Sequence, residues 1–149
     1  MNTLTENAKF LRLSGAIAAA TTDVTNMTSV DMVGYNSLTL MVSAAAITTG
    51  AVTKVKMQQS SDDGVADVYS DLEGTSVTIA DDSDNKMVVL EVKDPQKRYL
   101  KPVITRGTQN AAFEGVFAIQ IGAKVLPVSQ STTHVTITEL HQAPDEGTA

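Results

Sequence analysis

Three groups of side chains in this sequence have the types and spacing to do chemistry. The first is acidic: Asp62, Asp63, Asp67 and Asp71 surround one turn, and Asp81, Asp82 and Asp84 fill another. Carboxylates so grouped hold calcium when about six to eight oxygens converge on one point. Neither cluster matches the D-x-[DN]-x-[DN]-G loop with its distant glutamate, and Lys86 stands beside the second. Solvated turns are therefore expected, with no metal site. The second group is nucleophilic. His134 and His141 are the only histidines, both lie in the polar C-terminal region, and no G-x-S-x-G elbow accompanies them. The third group is basic: Lys93, Lys97, Arg98, Lys101 and Arg106 follow one another with only Asp94 opposed to them. Such a segment either faces solvent, with Arg98 pairing a nearby acid, or docks an acidic protein surface. Arg98 and Arg106 are the stronger anchors, because a guanidinium grips a carboxylate with two parallel hydrogen bonds.

The inventory argues against catalysis. The absence of cysteine excludes thiolate zinc sites, iron–sulfur clusters, thiol nucleophiles and disulfides. Three tyrosines, three phenylalanines and no tryptophan cannot floor the aromatic cleft that paired-carboxylate glycosidases use. No glycine-rich phosphate loop is present, and no cofactor is expected. Seventeen acids against eleven bases give a net charge of −6, which disfavours nucleic acid as a partner. No stretch approaches the roughly 20 apolar residues that span a bilayer, so no membrane association is expected. The run Phe10–Ala20 imitates a secretory signal, but Arg12, Ser14 and Gly15 interrupt it and Glu6 precedes it. What remains is a binding or structural module.

A chain of 149 residues suits one domain with its own core. Apolar residues alternate with polar ones in Ser37–Ala45, Thr53–Ser60, Met87–Val92, Val116–Ala123 and, more briefly, Val135–Thr138. That period of two belongs to half-buried strands. Turn sequences punctuate the runs at 60–64, 72–74, 81–85 and 106–110. Pro102 inside the run 99–105 predicts an edge strand or a bulge. The one helical candidate is the alanine-rich piece 16–20. The pattern predicts an all-β fold, an antiparallel β-sandwich of seven to eight strands. Residues 1–22 are expected as an N-terminal arm, 23–128 as the sandwich, and 129–149 as a C-terminal strand and polar tail.

Four segments carry a resemblance to a known group. They are a D-x-x-GY opening (Asp31, Gly34, Tyr35), a strand ending in a Gln-Ser-Asp-Gly-like turn (Gln59 through Gly64), P-x-KRYL (Pro95, Lys97 to Leu100), and a Gly-Ala to Pro-Val close (Gly122, Ala123, Pro127, Val128). Over roughly two thirds of the chain this resembles small virion proteins of tailed bacteriophages, of the capsid cement or decoration type. The resemblance implies a jelly-roll-like sandwich, a homotrimer, a major capsid protein as partner and a place on the capsid exterior. Tyr35, Lys97, Arg98, Tyr99, Lys101 and Arg106 are the expected partner-binding residues, the tyrosines because a ring with a polar tip suits a boundary. A tail-tube, tail-terminator or head–tail connector subunit, or a host-surface binding module, stays open.

Overall fold

The computed structural model describes residues 3–143 and 145–148. Its single helical turn is α1 (Leu4–Asn7), and ten strands follow. They are β1 (Lys9–Ser14), β2 (Ile17–Ala20), β3 (Val30–Asp31), β4 (Ser37–Ile47), β5 (Val52–Ser60), β6 (Ser70–Asp71), β7 (Val77–Ile79), β8 (Met87–Lys93), β9 (Tyr99–Gly107) and β10 (Ala111–Ile121). One sheet has the order β1-β10-β4-β8, with β2 also on β10; the other has β3-β9-β5-β6, with β7 also on β5. Every pairing is antiparallel. Counting β1 with β2, and β6 with β7, as split strands leaves eight positions exchanged between two sheets, the strand order of a jelly roll. The expected all-β antiparallel sandwich is the observed fold.

The core lies between the sheets. On β4, Leu38, Leu40, Val42 and Ala44 point inward; on β5, Val55 and Met57 meet them. Pro102 fits without a bulge. It faces Met57 in an unbroken register with β5. Two residues on, Ile104 exchanges backbone bonds with Val24 on the outer side of β9, so the proline's missing N–H falls on that same outer side, where no ladder bond is lost.

Three expectations change. The segment expected as an arm is part of the first sheet from residue 9 to residue 20, because Leu11 and Leu13 alternate inward and are buried. The alanine-rich piece is strand β2, with Ile17 opposite Phe113. Val135–Thr138 forms no strand. The tail before it reaches the edge of β1 mainly through side chains. Gln130 accepts from the Phe10 N–H and donates to the Ala8 carbonyl at 3.0 and 2.7 Å, as a neighbouring peptide group would. His134 Nδ1 lies 3.1 Å from the Arg12 carbonyl oxygen. With no backbone alongside, the alternating residues beyond have nothing to pair with.

Candidate docking face

All four segments that carry the resemblance arrive at one end of the sandwich. Strand β3 ends there, and its turn (residues 32–36) abuts the loop before β9 through the Met32 N–H on the Arg98 carbonyl at 2.8 Å. The chain leaving β10 joins them, with the Lys124 N–H on the Gly34 carbonyl at 2.9 Å. Gly34 takes φ +86°, a conformation that L side chains rarely adopt. The loop after β5 (residues 61–69) closes the group. Gly64 has φ +82°, and a Cβ there would stand 3.0 Å from the Tyr69 ring.

Ion pairs brace these loops. Arg98 donates to both carboxylate oxygens of Asp31, Nε at 2.9 Å and Nη2 at 2.7 Å. That fork holds the Asp31 carboxyl below its ordinary range. Lys97 Nζ donates to both oxygens of Asp67 at 2.9 and 2.7 Å. Asp62 accepts backbone N–H groups from Val65, Ala66 and Asp67, so its carboxylate faces its own loop. The carboxyl pKa of Asp62 is lowered, first by the Ala66 bond. Lys101 Nζ lies 4.6 Å from the centroid of the Tyr69 ring, whose hydroxyl donates to Asp63. Burial, together with that bond to Asp63, pushes the Tyr69 phenol up to about 12. The second acidic cluster lies at the opposite end, where Asp81 and Asp84 accept from the Gly50 and Ile47 N–H groups.

The expected site residues therefore part company. Tyr35, Lys97, Arg98, Tyr99 and Lys101 do come together at this end. Tyr35 is half-buried against the core, and its phenol is raised by burial. Tyr99 is half-buried, with the Arg98 guanidinium 4.9 Å from its ring centroid. The basic segment is no open docking strip, since Lys97 and Arg98 are held on aspartates at 2.7 Å and Lys93 lies 4.0 Å from Asp94. Arg106 is a correction. It lies at the far end of β9, only 9% exposed, with its guanidinium turned inward onto backbone carbonyls and away from the other five expected residues.

What the sequence reading missed is apolar. Val33, Val65 and Val68 stand exposed on or beside the ion-paired loops, and Val125 and Leu126 on the segment after β10 that bonds to Gly34, with Val65 at 84% and Val125 at 80%. Isolated apolar residues inside polar turn sequences were the available signal. Between the loops, Met32, Tyr35, Pro95 and Arg98 help line a cleft of about 460 Å³. Exposed apolar side chains grouped on neighbouring loops suit a protein surface better than a small solute.

Acid should loosen this end. Asp67 is held at about 2, from an ordinary 3.8, first by the hydrogen bond from Lys97 and then by those from Ser61. A carboxyl depressed on folding stabilises above its unfolded pKa, and that contribution is lost as pH falls through the folded value. The window is thus from about 4 down to about 2. Asp67→Asn is expected to narrow the gap in melting temperature between about pH 5 and about pH 2. Thermal melts across that range check it, and a gap equal to that of the parent protein counts against the brace.

No family model and no curated protein sequence matches the chain. Among solved structures, the crystal structure of the SPBc2 prophage-derived protein YomS is similar, with a TM-score of 0.49 and 10% identity over 81% of this chain and 100% of that chain. No helix among the described residues is long and apolar enough to cross a membrane.

Proposed function

We propose that this chain is a structural subunit of a tailed-phage virion, of the capsid cement or decoration type. It grips the outer surface of an assembled major-capsid lattice and transforms no substrate. The observation that carries the reading is the convergence of the four family-like segments on one end, where exposed valines stand on two ion-paired loops and on the segment after β10 bonded to them. A net charge of −6 adds support, since such a surface sits more comfortably outside a shell than against packaged DNA. Homotrimeric assembly belongs to the same proposal.

The physics of such a role is preferential binding. A subunit that binds the assembled lattice and not its free components stabilises the lattice by RT ln(1 + [L]/Kd), about 2.7 kcal/mol per site at a hundredfold excess over Kd. The test places the chain on the particle. Labelled antibody and imaging of purified virions should find it outside the shell, at a copy number that follows the capsid lattice. A single ring of copies at the neck or tail would replace this reading with the connector or tail one. Val65→Asp combined with Val125→Asp should lower occupancy about tenfold or more with no loss of melting temperature, because both side chains are exposed. Unchanged occupancy would remove this end as the docking face.

A further inference from the structure

Strand β8 is an uncovered edge of the first sheet. The Asp94 N–H on the Asn36 carbonyl and the Ala44 N–H on the Lys86 carbonyl fix which residues face β4. By that alternation Met87, Val89, Glu91 and Lys93 turn their N–H and C=O groups outward, and among the described residues nothing receives them. The other outer strands are shorter or capped. Strands β3, β6 and β7 span two or three residues, and β1 is lined by Gln130 and His134. Clefts of about 420 and 230 Å³ flank β8 on the side of the second sheet, so an added strand has room. On the solvent side Met87 and Val89 are exposed, and Val89 continues across Met41 to Phe117 as one apolar row.

The same chain carries a strand without a partner. Residues 135–138 read Val-Thr-Ile-Thr, alternating and β-branched, yet among the described residues they join no strand; the Val135 N–H turns back onto the Ser131 carbonyl at 2.9 Å, and Ile137 is 72% exposed. They cannot reach their own β8. His134 is held on Arg12 of β1, the opposite edge of a sheet in which β10 and β4 intervene. At about 4.8 Å per strand, β8 lies at least about 14 Å from β1. Val135 extends about 3.5 Å beyond His134, and Ile137 about 10 Å.

We propose that residues 135–140 of one copy add as a strand to β8 of a second copy. Backbone bonds to the outward groups of β8 supply affinity, and Val135 with Ile137 extends the apolar row past Val89. The exchange closes as a reciprocal pair or as a ring. It does not depend on the capsid reading.

Sedimentation of the purified full chain tests it. The parent protein should associate, and deleting residues 135–149 or introducing Ile137→Pro should weaken association at least about tenfold. Melting temperatures should hold, since Gln130 and His134 remain in place. Because the chain has no cysteine, Ile137→Cys mixed with Met87→Cys, Val89→Cys or Glu91→Cys should give a disulfide between chains for at least one pair. A full chain that stays monomeric at its highest soluble concentration would overturn the proposal. So would truncated chains that associate unchanged, or cross-linking that fails at all three positions.

Discussion

Arg106→Met is expected to lower the melting temperature by about 10 °C. The side chain is buried at the far end of the sandwich and, among the described residues, has no carboxylate partner. Three backbone carbonyls neutralise it: Nε donates to Thr22 at 2.6 Å, and Nη1 donates to Ala18 and Ala111 at 2.8 Å each. One guanidinium thus fastens the segment leaving β2 to both β9 and β10. Methionine fills much of the volume but orphans those acceptors, each at about 1–3 kcal/mol when buried and unpaired. A loss near 3–4 kcal/mol corresponds to about 10 °C for a chain of this length. Arg106→Lys should rescue little, because a single ammonium cannot span the three oxygens that the planar fork reaches. Calorimetric melts of the two variants decide it. A methionine variant that melts within about 1 °C of the parent would show the carbonyls to be satisfied by other means.

That residue also shows what the sequence could and could not say. Lys97, Arg98, Lys101 and Arg106 look alike as a basic run, and nothing local separates them. The strand does: β9 carries Lys97 and Arg98 to one end and Arg106 to the other, where the β2 segment happens to close over it. Long-range partners such as Asp31 for Arg98 and Asp67 for Lys97 lie 67 and 30 positions away. Charge counting could propose a pair but could not choose one. Alternation located β4, β5, β8 and β10 because a two-residue period is a local property. It failed to show which side of β10 is inside. Phe117, Ile119 and Ile121 form the more hydrophobic row, yet Phe117 and Ile121 are exposed while Val116, Ala118 and Gln120 are buried. Register shifts around Phe113 put Phe113 and Val116 on the same inner side, three residues apart. Gln120 keeps its inner place because its amide donates to the Asp31 carbonyl of the opposite sheet at 2.7 Å. In Val135–Thr138 the pattern of a strand is present, but a strand also needs an edge within reach, and the open edge of its own fold, β8, lies on the far side of the sheet from His134.

Those shifts make Phe113 the residue whose loss should cost most in the core. It is the largest fully buried side chain, set between Ile17 on β2 and Ala44 on β4. Phe113→Ala should destabilise by about 3–5 kcal/mol, the transfer term plus the cavity left behind. Ala44 directly opposes Phe113, large against small, so the space the ring vacates opens over Ala44. Ala44→Leu alone overpacks that layer and should cost about 1–3 kcal/mol. In the Phe113→Ala background the same leucine enters the cavity and should recover part of the loss, giving a coupling of opposite sign to additivity. Chemical denaturation of the parent, both single variants and the double variant measures it; additive losses would mean that the two side chains do not share a layer. Phe113 and Arg106 both sit at the end remote from the braced loops. Either variant, kept cold enough to stay folded, should therefore occupy particles as the parent does. Stability would then follow one end of the sandwich and docking the other, and a folded Phe113→Ala protein that fails to dock would break that division.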